Sequence, residues 1–139
     1  MKSRRSHLVI LAVSLCAGLG DFLAGVFLLV GPAWTLSLLA TPVPADAVFV
    51  RYLGVFVGMV GLAYFYGIAS WKWSGAIFPI RVVWEVTALF RLAVALFLAA
   101  AMAAGQLPLR WAFVAGIDAE WALLQLLLIS MGFFPPDFR

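Results

Sequence analysis

Residues 78–104 read FPIRVVWEVTALFRLAVALFLAAAMAA. About 20 mainly apolar residues are enough for a helix to cross the hydrocarbon core of a bilayer, and this stretch is longer. An open sheet cannot satisfy its edge hydrogen bonds in hydrocarbon, and the alternating pattern of a closed barrel is absent from the sequence. The stretch therefore predicts a transmembrane helix.

Three further apolar stretches share this length and composition, and we place them at about residues 8–30, 47–70 and 111–134. Residues that end or interrupt helices lie between or after them, namely Gly31-Pro32, Gly105, Pro108 and Pro135-Pro136. The sequence therefore predicts an all-α fold, an integral membrane four-helix transmembrane bundle. We expect residues 1–139 to form one transmembrane domain.

The composition limits the functions that the chain can have. Of 139 residues, 66% are hydrophobic and 11% are charged, whereas soluble domains are about half apolar and a quarter charged. Four crossings leave no room for a soluble catalytic domain, so an enzyme is the less favoured class. The basic residues are scattered, which argues against nucleic-acid binding. With one cysteine, Cys16, and one histidine, His7, we expect neither a metal nor a cofactor.

The N-terminus has two interpretations. Residues 1–5, MKSRR, followed by an apolar run resemble the start of a signal peptide. The run continues past Asp21 to Val30 without a clear cleavage site. This continuity favours a first helix that is retained in the protein.

The positions of the cations predict the orientation. One side of the bundle carries most of those near the span ends, namely Lys2, Arg4, Arg5, Lys72 and Arg139, whereas Arg110 and Arg51 fall toward the other. Flanks rich in Lys and Arg stay in the cytoplasm. We therefore expect a multi-pass protein of the bacterial inner membrane with both termini inside.

Ionisable residues within the spans are the candidate functional residues, namely Asp21, Arg51, Arg81, Glu85, Arg91, Asp118 and Glu120. Each costs roughly 2.5 to 3.5 kcal/mol at a helix centre unless it finds a partner or water. Their depths predict an intramembrane polar cluster of Asp21, Arg91 and Asp118 that binds a ligand or fixes the helices. We expect Arg51 to approach this cluster from the outer rim.

Helical geometry assigns the remaining charges. Arg81 and Glu85 are four residues apart and should form a structural ion pair. Asp118 and Glu120 differ by about 200° around their helix, so both cannot face the centre. Glu120 therefore implies a second polar pocket, a contact with a partner or lipid, or protonation. By the same geometry, at most one of Tyr64 and Tyr66 joins the cluster.

Small residues predict close packing of the first two spans. Ser14, Gly18, Asp21 and Gly25 form one stripe, and Gly54, Gly58 and Gly61 form another. Small residues let helix backbones approach closely in lipid. Packing within the chain is favoured over a homodimer interface.

Three short motifs resemble the DoxX-like group of small four-helix membrane proteins. They are Arg51-Tyr52-Leu53-Gly54 followed by Gly58 and Gly61, Arg91 in the third span, and Gly116-Ile117-Asp118 in the fourth. The resemblance implies a four-helix membrane fold and relatives that include subunits of quinone-linked sulfur oxidation, a methylamine-utilisation accessory protein and cargo-receptor-like proteins. The cysteine pair of some redox-linked relatives is missing here.

These observations leave three hypotheses for function. The first is an accessory subunit or lipophilic small-ligand-binding protein, associated with a quinone-linked redox complex, whose polar cluster holds a headgroup or a partner helix. The second is a proton-coupled small-molecule transporter, and the third a membrane-embedded acid-base enzyme acting on a lipophilic substrate. Transport is disfavoured because no internal repeat or central proline breaks the spans. The expected partners are the lipid bilayer, a quinone or lipid, and a membrane protein or second copy.

Overall fold

Proline and glycine divide the apolar sequence into the helices that the structure contains. The computed structural model describes residues 2–38, 41–42 and 44–134. The helices are α1 (Lys2–Val30), α2 (Pro32–Leu38), α3 (Val48–Ser74), α4 (Phe78–Ala103) and α5 (Ala112–Ser130), with a 3-10 turn at Leu109–Trp111. Four segments, Arg4–Val30, Val48–Ser74, Phe78–Ala103 and Leu109–Ser130, are long and apolar enough to cross a membrane. The predicted all-α four-helix membrane bundle is confirmed.

The helix boundaries differ from the expected ones mainly at the water-facing ends. Helix α1 begins at Lys2 rather than near residue 8, because its polar first turns continue the same helix. Helix α3 extends to Ser74, and Gly75 then adopts φ 71°, a left-handed conformation that glycine adopts without strain. Helix α5 ends at Ser130 rather than near residue 134. Pro135-Pro136 and Arg139 lie outside the described residues.

The segment after Gly31, which lies between the first two predicted spans, begins with a short helix. Pro32 is the first residue of α2, a position that suits proline because the first N–H of a helix has no partner within it. Thr35 Oγ1 donates to the Gly31 carbonyl at 2.9 Å, and the Leu36 side chain is buried. The proline therefore ends α1 and starts α2.

Glycines bring α1 and α3 into close antiparallel contact. A Cβ built on Gly54 would lie 2.8 Å from the Gly25 carbonyl oxygen, and one built on Gly18 would lie 2.8 Å from Tyr64 Cβ. A Cβ on Gly61 would collide with the backbone of Phe22. The glycines of the two stripes therefore form the interface between α1 and α3, whereas Ser14 and Asp21 of the first stripe bond to α4.

The other helices complete the bundle. Helix α5 packs mainly on α4, and α4 also packs on α3. Buried side chains between the helices form the apolar core, namely Ile10, Ala17, Tyr64, Ile77, Ile80, Trp84 and Phe134. This packing places α4, which carries Arg91, against helices on more than one side.

Candidate functional site

Arg91 on α4 joins three helices through its guanidinium group. Its Nη1 donates to Asp118 Oδ1 on α5 at 2.8 Å. Its Nη2 donates to Asp21 Oδ2 on α1 at 2.5 Å. The structure thus brings together the three residues that helix depth placed at the same level, and we call Asp21, Arg91 and Asp118 the Arg91 cluster.

The Arg91 cluster contains more acid than base. Two carboxylates share one guanidinium, so the three groups carry one net negative charge when all are ionised. The Arg91 side chain is 7% exposed, whereas those of Asp21 and Asp118 are 17% and 18% exposed. The Arg91 guanidinium carbon also lies 6.0 Å from the ring centroid of Trp121, within range of a cation–π interaction. The cation is therefore enclosed while each carboxylate remains partly accessible.

A second polar layer lies one helical turn from Arg91. Tyr64 on α3 and Thr87 on α4 are hydrogen-bonded through their hydroxyl groups at 2.8 Å. Gln125 on α5 donates from Nε2 to the Tyr64 hydroxyl at 2.6 Å. Tyr64 is fully buried, whereas Tyr66 is 69% exposed, so only Tyr64 joins the polar interior. The side chains of three helices meet in this layer.

Two buried polar atoms near these layers have no hydrogen-bond partner among the described residues. They are Arg91 Nε, a donor, and Gln125 Oε1, an acceptor. An unsatisfied buried polar group costs about 1 to 3 kcal/mol. The polar interior therefore contains one donor and one acceptor to which no described residue is hydrogen-bonded.

Arg51 does not join the Arg91 cluster. Its side chain is exposed, and no ion pair within the described part of the chain includes it. Phe22, the neighbour of Asp21, lies against Gly61 of α3, and Arg51 precedes Gly61 by ten residues. Ten residues span about 15 Å along a helix, which exceeds the reach of an arginine side chain. The expected approach of Arg51 to the cluster was therefore wrong.

The other ionisable residues lie apart from the cluster. Arg81 Nε donates to Glu85 Oε1 at 2.7 Å, which is the local pair expected from their spacing, and both side chains are partly exposed. Glu120 is exposed on α5, whereas Asp118 turns inward to Arg91. Within the described residues, no group of three or more His, Cys, Asp or Glu side chains is arranged to hold a metal ion.

Sequence reasoning missed some of the polar contacts of the interior. Trp84 Nε1 on α4 donates to Ser14 Oγ on α1 at 2.7 Å. Thr87 was also missed, although it precedes Arg91 by one helical turn and so shares its face. The available signal was the position of these residues on the same face of α4 as the intramembrane charge of Arg91.

The chain was compared with protein-family models, with curated proteins and with solved structures, and none of the three comparisons gives a match.

Proposed function

We propose that this chain is a membrane-embedded binding protein for a lipophilic molecule with a polar head, and that the Arg91 cluster is its binding site. The observation that carries the proposal is the excess of carboxylate over guanidinium in that cluster. A net negative charge in hydrocarbon is costly unless a cation, a proton or hydrogen-bond donors accompany it. A ligand that supplies donors would relieve this cost.

The accessibility of the two carboxylates supports the same conclusion. Asp21 and Asp118 keep part of their surface uncovered on helices whose outer faces meet lipid in a bilayer. A molecule reaching them must therefore be soluble in lipid and carry a hydroxyl or amino group. A quinol fits this description, because its two hydroxyl groups can donate to carboxylate oxygens and its tail is apolar.

The cellular setting forms part of the proposal. The resemblance of the Arg51, Arg91 and Asp118 motifs to DoxX-like proteins supports an accessory role beside a quinone-linked redox complex of the bacterial inner membrane. The cations at the start of α1 and the end of α3 support a cytoplasmic position for that end of the bundle. Arg4 and Lys72 line the same surface cleft, so these cations lie together.

A binding measurement tests the proposed site. The full chain is purified in dodecyl maltoside and titrated with a short-tailed ubiquinol under reducing conditions. The signal is the total tryptophan fluorescence, to which Trp121 beside Arg91 contributes. Hydrogen bonds to a charged group contribute about 1.5 to 3 kcal/mol, so Asp118→Asn and Asp21→Asn should each weaken binding about ten-fold or more. The corresponding ubiquinone, which lacks hydroxyl donors, should bind more weakly than the quinol.

Glu85→Gln is the matched control, because Glu85 is a partly exposed acid of α4 that pairs with Arg81 outside the cluster. The Glu85→Gln variant should bind ubiquinol with the same affinity as the original chain. The proposal fails if the original chain does not bind ubiquinol. It also fails if Asp118→Asn and Glu85→Gln give the same affinity.

A proton-coupled transporter is the second candidate, favoured by the same excess carboxylate because a proton can neutralise it. In this function Asp21 or Asp118 would be the protonatable group, and Glu120 would be a further one. Proton uptake into liposomes that depends on Asp118, in the absence of quinol binding, would favour transport. An acid-base enzyme would instead convert the lipophilic substrate that it binds.

Glu120 is proposed to contact a partner helix or a polar lipid. It is exposed on α5, at a depth where a carboxylate facing hydrocarbon is costly. A neighbouring hydroxyl, amide or cation would stabilise it. The partner is a membrane protein or a second copy of this chain.

A further inference from the structure

A second polar site lies at the end of the bundle where α1 begins and α3 ends. The His7 and Trp71 rings pack edge to face there, with centroids 5.2 Å apart. Beside them is a cleft of about 400 Å³ lined by Arg4, His7, Leu8, Leu11, Trp71 and Lys72. We call this the Arg4–Lys72 cleft. It is separate from the Arg91 cluster, because Leu11 precedes Asp21 by ten residues, or about 15 Å of helix.

The cleft concentrates positive charge contributed by two helices. Arg4 of α1 and Lys72 of α3 are both exposed, and neither takes part in an ion pair with another described residue. Two cations that line one cleft attract an anion.

The other walls of the cleft are apolar and aromatic. Leu8 is 59% exposed, and Leu11 and Trp71 are partly exposed beside it. Tryptophan is enriched where the acyl region of a bilayer meets the headgroups. The cleft therefore places cations at headgroup depth and leucines on the side of the acyl chains.

We infer that the Arg4–Lys72 cleft binds the phosphate group of an anionic glycerophospholipid, with Arg4 and Lys72 on the phosphate and Leu8 and Leu11 against an acyl chain. Basic pockets between transmembrane helices bind such headgroups. A free phosphate ion would use the cations and leave the apolar wall exposed, so the lipid matches more of the cleft. This site is independent of the quinol site proposed above.

Native mass spectrometry of the full chain in dodecyl maltoside tests this site. The chain is titrated with dioleoyl phosphatidylglycerol, with dioleoyl phosphatidylcholine as the neutral-headgroup comparison and with sodium phosphate as the soluble anion. The first phosphatidylglycerol should bind more tightly than phosphatidylcholine. Arg4→Gln and Lys72→Gln should each weaken phosphatidylglycerol binding about five-fold, which corresponds to about one cation–headgroup interaction.

Arg5→Gln is the matched control. Arg5 is an exposed cation next to Arg4 that does not line the cleft. It should change phosphatidylglycerol binding by less than about two-fold, since the protein keeps both lining cations. Phosphatidylcholine, whose choline offsets the charge of its phosphate, should lose less affinity than phosphatidylglycerol in Arg4→Gln and Lys72→Gln.

Three results would overturn the inference. The first is an equal loss in Arg5→Gln, which indicates charge attraction without a site. The second is equal affinity for the two lipids. The third is displacement of the lipid by sodium phosphate at concentrations equal to those of the lipid. Circular dichroism checks that the variants keep their helicity. Lys72→Arg keeps the positive charge and should retain most of the phosphatidylglycerol binding that Lys72→Gln loses.

Discussion

Trp84 on α4 donates its indole N–H to Ser14 Oγ on α1, with Nε1 and Oγ 2.7 Å apart and both side chains fully buried. These residues are 70 positions apart in the sequence. The bond links the α1–α3 pair to the α4–α5 pair at a level nearer the start of α1 than the Arg91 cluster. It fixes the rotation of α1 relative to α4.

Removal of this bond should destabilise the bundle modestly. Ser14→Ala leaves the buried indole N–H without its acceptor, so the free energy of unfolding should fall by about 1 kcal/mol. Trp84→Phe should lower it as well, with an added loss of packing. Unfolding in mixed micelles of dodecyl maltoside and sodium dodecyl sulfate, followed by circular dichroism, measures the change. The double variant should cost less than the two single changes added together, and strict additivity would contradict a direct bond.

Arg91→Leu should be among the most destabilising single changes in the described part of the chain. It leaves Asp21 and Asp118 without their shared cation, and breaking a buried ion pair from one side costs about 3 to 5 kcal/mol. The triple variant Arg91→Leu, Asp21→Asn, Asp118→Asn removes the stranded charges. It should be more stable than Arg91→Leu alone in the same unfolding measurement. The reverse order of stability would show that the guanidinium is not needed to neutralise the two acids.

Glycine-to-alanine changes should separate close helix contacts from exposed positions. Gly61→Ala places a methyl group against the Phe22 backbone, and overpacking of this kind costs about 1 to 3 kcal/mol. Gly20→Ala is the control on α1, since a Cβ there meets nothing within 4 Å. It should be neutral or stabilise by up to about 1 kcal/mol, because alanine favours helix more than glycine does. Equal effects of the two changes would place the α1–α3 contact elsewhere.

Sequence alone was sufficient for the parts of the structure that depend on composition and helical spacing. Apolar length gives the four spans, and the four-residue spacing gives the pair of Arg81 and Glu85. The depth of each residue along its helix also predicts that Asp21, Arg91 and Asp118 lie at one level. These features need only the rise and rotation of a straight helix.

The sequence did not predict the contacts that depend on how neighbouring helices are aligned. Arg51 was expected near the cluster because the order of residues alone does not specify the register of α3 against α1. In the structure the glycine contacts set this register. The bond from Trp84 to Ser14 depends on the same alignment of α1 with α4. Helix α2 was missed because Gly31-Pro32 ends one helix and starts another within a few residues.

Reporter fusions test the proposed orientation. An alkaline phosphatase, which is active only outside the cytoplasm, should be inactive when fused after Gly75 or at the C-terminus. It should be active when fused after Gly105, beyond the end of α4. The physical reason is the retention of Lys72 and the N-terminal cations in the cytoplasm. If one of the Gly75 and C-terminal fusions is active and the other is inactive, the arrangement with both termini inside is contradicted.

Glu120 provides the test of contacts beyond the chain. Asp118 faces Arg91, whereas Glu120 is exposed on the outer surface of α5. A carboxylate at this position needs a hydrogen-bond donor or a cation from a lipid headgroup or a partner helix, because hydrocarbon supplies neither. Glu120→Gln keeps the hydrogen-bonding groups and loses the charge, whereas Glu120→Leu loses both.

The two variants should therefore differ in what they retain on purification. The chain is extracted in mild detergent at native expression, and co-purifying proteins and lipids are identified by mass spectrometry. Glu120→Gln should keep most of the molecules that accompany the original chain, and Glu120→Leu should release at least one of them. Leu123→Ala controls for a change of surface shape, since Leu123 is an apolar residue of the same helix and is 63% exposed. If Glu120→Leu retains the same proteins and lipids as the original chain, Glu120 does not mark an interface, and protonation in contact with lipid is the explanation that remains for this acid.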